Sequence, residues 1–169
     1  MRNIKIKQLH EQDWQFAKSI RLFALRQNPD VFLSNYEEES QYEDSVWKNQ
    51  LKITDGATFG LFDDNQIIGI TGVFTWKKDI SNKTAILAMS FIDSAYRGKG
   101  HFKLFYQARI DWAKKQSTFE KIRVSHRAGN EASRAANQAF NFELKNKEMI
   151  EWPDGKKDFE YNYELDLRR

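Results

Sequence analysis

The sequence predicts an α/β chain built on a mixed, mostly antiparallel sheet. Three observations carry that expectation. Apolar or alternating runs at Ala57–Phe62, Gln66–Trp76 and Ala85–Ile92 follow one another mid-chain, the first two joined across Asp63-Asp64-Asn65. Stretches with apolar residues at helical spacing lie on both sides of them. The third run is followed by Arg97-Gly98-Lys99-Gly100 and then by one of those helical stretches.

The elements can be justified in order. Ile4 and Ile6 alternate with polar residues, so Ile4–Leu9 reads as a first strand. Asp13 is placed to cap a helix that carries Phe16, Ala17, Ile20, Phe23 and Ala24 on one face and stops at Asn28-Pro29. The stretch SNYEEESQYEDSVWKNQL predicts one or two short helices ending near Leu51. The hairpin follows, then a strand at Ala85–Ile92 that is apolar enough to be central. After Gly100, the residues Phe102, Phe105, Tyr106, Arg109, Ile110 and Ala113 share one helical face. Lys121–Ser125 predicts another strand, and a helix begins at Asn130 with Ala132, Ala135, Ala136, Ala139 and Phe140. Lys147–Trp152 and Asp158–Leu167 predict a closing hairpin turned by Pro153-Asp154-Gly155.

Composition excludes several classes. The 169 residues suit one domain spanning 1–169. With no cysteine there is no disulfide, thiolate metal site or cysteine nucleophile, and three scattered histidines argue against a zinc centre. No metal is expected. No apolar run reaches membrane-spanning length, and the charged start MRNIKIKQLHEQDW lacks the core of a signal peptide, so a cytoplasmic protein without a membrane partner is expected. The net charge of +3 is mixed with acids throughout, which reads as a solvated surface and not as a nucleic-acid stripe.

The loop at Arg97–Gly100 is the chemically suggestive element. A helix start leaves N–H groups unpaired at a positive dipole end, and glycine lets a ligand approach the backbone. A strand, a glycine turn and a helix in succession are therefore suited to hold a phosphate, with a plain surface turn as the competing reading. The spacing matches neither GxxxxGK[ST] nor GxGxxG.

With its flanks, this loop resembles the acetyl-CoA signature [QR]-x-x-G-x-[GA] of the GCN5-related N-acetyltransferases, the GNAT superfamily. Here it reads Arg97-Gly98-Lys99-Gly100-His101-Phe102 within FIDSAYRGKG, and NEASRAANQAFNF matches a later family stretch in spacing. The resemblance covers essentially the whole chain. It implies the GNAT fold: six to seven strands, about four helices, and central parallel strands that splay apart. It also implies acetyl transfer from acetyl-CoA, as cosubstrate, to a primary amine of a small molecule or peptide in a ternary complex. Phe91, Ile92, the loop Arg97, Gly98, Lys99, Gly100, His101 and Phe102, and Asn130 and Asn137 are the implied cofactor contacts. A homodimer is a further candidate partner.

Three departures bear on that expectation. Phe102 stands where glycine or alanine usually ends the motif, and its spacing with Phe105 and Tyr106 points it toward the core. Asn137 occupies the place of the tyrosine that protonates the departing thiolate in many members, and it has no proton to give. Ser133, one turn earlier, or water are the alternatives. Asn141 replaces a glycine, which asparagine's tolerance of left-handed angles makes mild. For the base, Glu37, Glu38 and Glu39 lie where the family shapes its acceptor pocket, with Glu39 the candidate; a solvated acidic face is the competing reading. His126, after the Lys121–Ser125 strand, and His101, inside the loop, are further candidates. Two other functions stay open: an acyl-CoA-binding module with weak or no catalysis, and a basic interaction domain.

Overall fold

A computed structural model describes residues 2–30, 32 and 34–168. In chain order the elements are β1 (Ile4–Leu9), α1 (Trp14–Gln27), α2 (Tyr36–Glu39), α3 (Asp44–Leu51), β2 (Gly56–Asp63), β3 (Gln66–Thr75), β4 (Thr84–Ile92), α4 (Phe102–Lys115), β5 (Lys121–Arg127), α5 (Glu131–Ala139), β6 (Glu143–Glu151) and β7 (Lys157–Asp166). The strands form one seven-stranded sheet in the order β1-β2-β3-β4-β5-β7-β6. Every pairing is antiparallel except β4 with β5.

Helices cover both faces of the sheet. Ala17, Ile20, Ala24 and Leu25 of α1 pack with Leu9, Phe62, Ile70 and Phe91 on one side. On the other, Tyr106, Ile110 and Ala113 of α4 and Ala136 of α5 pack with Phe59, Val73, Leu87 and Val124. Double coverage explains why β2 and β3 are buried along nearly their whole length and read as continuous apolar runs.

Several local expectations need correction. Phe16 and Phe23 remain more than a third exposed, lying edge-on to Phe62 and Phe91 at the border of the apolar face. Asp13 does not cap α1 with its side chain. Its carboxylate turns back to accept the His10 N–H at 2.9 Å and the Lys7 ammonium at 3.1 Å. Strand β6 begins at Glu143, not Lys147, and stops before Trp152. It is an almost entirely exposed edge strand, so the ladder to β7 holds it without any apolar alternation to announce it.

The second half of the chain is terminated as its residues require. Asn130 caps α5, its Oδ1 accepting the Ser133 N–H at 3.1 Å. At the other end, the Phe142 N–H reaches the Asn137 carbonyl (3.0 Å) and the Asn141 N–H reaches that of Gln138 (3.1 Å). Asn141 takes a φ of 64°, a paired-bond C-terminal motif that closes the helix and buries Phe142.

Candidate functional site

The cleft originates in the pairing of β4. β4 and β5 pair only through Thr84–Lys121, Ala85–Ile122 and Ile86–Arg123, and then part. On the opposite edge, the register with β3 slips by one residue between Gly72–Ala88 and Ile70–Phe91. The extra residue is accommodated at Met89, whose φ is 62°. A non-glycine residue at positive φ marks a bulge that bends the strand and increases its twist. The strand therefore curves away from β5 and leaves one rim of β4 without a ladder partner.

Alternation along β4 decides which backbone groups line that rim. The Asp93 N–H donates to the Ile68 carbonyl at 2.8 Å, so the following pair, Gly69–Ile92, turns its groups the other way. The Ile92 carbonyl indeed accepts Arg97 Nε at 2.7 Å on the open side, and its N–H points the same way. Phe91, opposite Ile70, turns its backbone toward β3 and its ring into the core under α1. The Arg97 guanidinium lies 5.5 Å from the centre of that ring, so this side chain staples the loop to the strand.

The loop beyond is built from two left-handed turns. Gly98 and Gly100 have φ of 73° and 78°, and an added Cβ at either would meet nothing within 4 Å. Glycine is needed here for backbone angle, and the space beside it is open. Among the described residues, the N–H groups of Gly98, Lys99, Gly100, His101 and Phe102 donate to no acceptor. Five consecutive free amides at the start of a fourteen-residue helix form a cradle of donors at its positive dipole end. Lys99 remains exposed beside it, its Nζ 3.2 Å from the Ala95 carbonyl. The Phe102 ring points inward, edge-on to Tyr106 and Phe140, and leaves the cradle clear.

Behind the rim lies a polar group that sequence reasoning treated as part of an apolar face. Arg109 is 1% exposed, and donates to the Phe105 carbonyl (3.0 Å) and to Ser90 Oγ (2.9 Å). Ser90 also shares a 2.8 Å hydrogen bond with Thr71 Oγ1. Burial pushes the Arg109 guanidinium down to about 10, with Tyr106 offsetting part of the shift. Next to it, the Tyr106 hydroxyl donates to Asn137 Oδ1 at 2.5 Å, while Asn137 Nδ2 is buried without a partner among the described residues. Burial raises the Tyr106 phenol above its ordinary value. Arginine and tyrosine at core spacing give no signal of such a cluster in a single sequence.

The remaining candidates separate. Ser133 is half-buried in the first turn of α5, one turn before Asn137. His126 is buried with Nδ1 2.8 Å from the Arg127 carbonyl and Nε2 3.0 Å from the Tyr163 hydroxyl, so both nitrogens are engaged. Glu39 is buried and forms a two-point pair with Arg21, at 2.8 and 3.0 Å. Burial alone would raise its carboxyl, but hydrogen bonds from Arg21 and Ser34 and the guanidinium charge outweigh it and hold it below the usual range. Glu37 and Glu38 are exposed. Glu39 and Arg21 border a cavity of about 270 Å³ that also touches Met89 at the bulge. Among the described residues no helix is long and apolar enough to cross a membrane, and no cluster of metal-ligating side chains exists.

A sheet parted at its parallel pair therefore opens beside a helix that starts in free amides. Residues 9–142 match the model of the Acetyltransferase (GNAT) family, and the chain belongs to that family. Comparison with curated proteins gave no match. Among solved structures, the chain is similar to a GNAT-family acetyltransferase from Streptococcus pneumoniae, with 14% identity, a TM-score of 0.83 and coverage of 96% of this chain and 98% of that one. An N-acetyltransferase from Staphylococcus aureus Mu50 is 20% identical, with a TM-score of 0.75 and coverage of 98% and 99%. Spermidine N-acetyltransferase from Vibrio cholerae, solved with CoA and spermine, is 13% identical, with a TM-score of 0.77 and coverage of 98% and 96%.

Proposed function

We propose that the protein transfers an acetyl group from acetyl-CoA to a primary amine that enters from the α1–α3 side of the β4 bulge. The observation that carries this reading is the run of five unpaired amides from Gly98 to Phe102, set beside the unpaired rim of β4. When bound, acetyl-CoA supplies an acyl group already activated as a thioester. The loop amides hold its diphosphate, Arg97 fixes the loop to Ile92, and the Ile92 N–H faces the carbonyl to be attacked. Asn130 and Asn137 are both supplied by the α5 segment, Asn130 as its cap and Asn137 with a spare donor buried beside Tyr106. The family and the fold shared with a CoA-bound acetyltransferase support the same assignment.

Negative charge grows on the thioester oxygen and then on sulfur as the bond breaks, and preorganised donors and cations stabilise it. Arg109 contributes a buried positive charge behind the bulge and fixes Ser90 from below. Asn137 cannot supply the proton that sulfur requires, which leaves Ser133 or water for that task. Titration with acetyl-CoA followed by free-thiol release in the presence of amines tests the reading. A thermal shift with acetyl-CoA and amine-dependent release of thiol are expected; neither occurring would overturn it. A binding module with weak transfer is favoured by one observation, the absence of a proton on Asn137, and would show the shift without the release.

A further inference from the structure

We infer that the acceptor is an α-amino compound with an apolar side chain, an amino-acid derivative or the N-terminus of a peptide, in place of a polyamine. This rests on the proposed acetyl transfer and concerns the chemistry of its second substrate. The cavity beside Met89 has walls from Leu51, Ile53, Ile70 and Phe74, and its volume of about 270 Å³ suits one apolar side chain better than an extended ligand. Its one carboxylate, Glu39, is already neutralised by the two-point pair with Arg21. A ligand carrying several ammonium groups meets no unpaired negative charge in that wall. Glu37 and Glu38 are exposed on α2, and Glu38 already accepts from Tyr42 at 3.3 Å.

The same pairing removes the base. With Glu39 held ionised against a guanidinium, no free carboxylate or imidazole borders the cavity among the described residues. The ammonium of the acceptor must lose its proton to water before the nitrogen lone pair can form the C–N bond. The C–S bond then breaks, sulfur leaves with the electron pair, and a proton from water completes the thiol. The second proton of the attacking amine passes to solvent as the amide forms. At about pH 7.5, an α-amine with a pKa near 8 is roughly one-quarter neutral, against about one part in a thousand for an alkylamine near 10.4. A site without a base therefore favours the α-amine by about a hundredfold or more. Burial of a side chain such as that of phenylalanine adds at least tenfold.

The test uses the full chain with saturating acetyl-CoA at about pH 7.5, reading thiol release. The panel is L-phenylalaninamide, glycinamide, phenethylamine, spermidine and a tripeptide beginning with phenylalanine. L-Phenylalaninamide is expected to exceed glycinamide at least tenfold in kcat/KM and phenethylamine about a hundredfold, with spermidine below both. Ile53→Asp, at a half-exposed wall position, should cut the L-phenylalaninamide value about tenfold while improving spermidine. Preference for the tripeptide over the amide assigns a peptide N-terminus, and the reverse assigns a free amino-acid derivative; both support the inference. Spermidine or phenethylamine leading the panel would overturn it. So would no turnover of L-phenylalaninamide while acetyl-CoA still raises the melting temperature, a result that leaves cofactor binding standing. Failure of acetyl-CoA itself to stabilise the protein would instead remove the proposed function.

Discussion

Replacing Arg109 with methionine should make the protein at least as stable and a poorer catalyst. Among the described residues the buried guanidinium has two hydrogen-bond acceptors and the face of Tyr106, 4.9 Å away, but no carboxylate partner. Burial lowers it from its ordinary value to about 10. At ~1.4 kcal/mol per pK unit, keeping it charged costs about 3 kcal/mol. Methionine fills a similar volume without that cost. It forfeits bonds worth about 1 kcal/mol each, although the Ser90 hydroxyl keeps Thr71 and the Phe105 carbonyl keeps its helix. The balance runs from neutral to about 2 kcal/mol of added stability, or up to roughly 8 °C in melting temperature for a chain of this size. Because the folded pKa is depressed, the cost is fully present at neutral pH and begins to fall only as pH rises past about 10, so the gap between the two proteins should narrow above that pH and not below it. Calorimetry at neutral and alkaline pH reads the stability, and thiol release reads turnover, expected to fall about tenfold as the charge behind the bulge is lost. A melting temperature lowered by more than about 5 °C would refute the electrostatic accounting. Unchanged turnover would refute the use of that charge in transfer.

Three further outcomes follow from the geometry. Gly100→Ala places a Cβ in open space but at a φ of 78°, so the penalty is backbone strain of about 1 kcal/mol. Its acetyl-CoA affinity, measured by calorimetric titration, should fall at least tenfold. Glu39→Gln leaves the Arg21 guanidinium without its ion partner and should lower stability by about 2 kcal/mol, with turnover reduced less than fivefold. Its depressed carboxyl supplies stability that is present above the ordinary carboxylate range and lost as pH falls through the folded value, so acid unfolding curves should show a loss in the parent that the variant lacks. Phe102→Ala removes ring contacts with Tyr106 and Phe140 and should cost about 2 kcal/mol in denaturant melts, while acetyl-CoA affinity changes less than threefold because only the Phe102 amide faces the cradle.

The central strands, the glycine turn and the amphipathic α4 were legible because each is a local pattern. Alternation, a pair of glycines and helical spacing need no partner to be recognised. The inward turn of Phe102 and the left-handed angle at Asn141 followed from the same local logic. Strand β6 was legible only in part: an edge strand with polar residues on both faces carries no periodicity, and its ladder to β7 is a long-range fact. Asp13 marks where α1 begins but does not cap it, because Lys7 and the His10 amide take its carboxylate.

By itself the sequence determined that a free-amide cradle follows a central strand, because glycine angles and helix starts are properties of consecutive residues. Tertiary structure alone decided what surrounds that cradle. The bulge at Met89, the parting of β4 from β5, the buried charge of Arg109 and the neutralisation of Glu39 by Arg21 all depend on segments far apart in the chain. A side chain's charge and its availability are set by what folding packs against it, and no spacing along one chain records that.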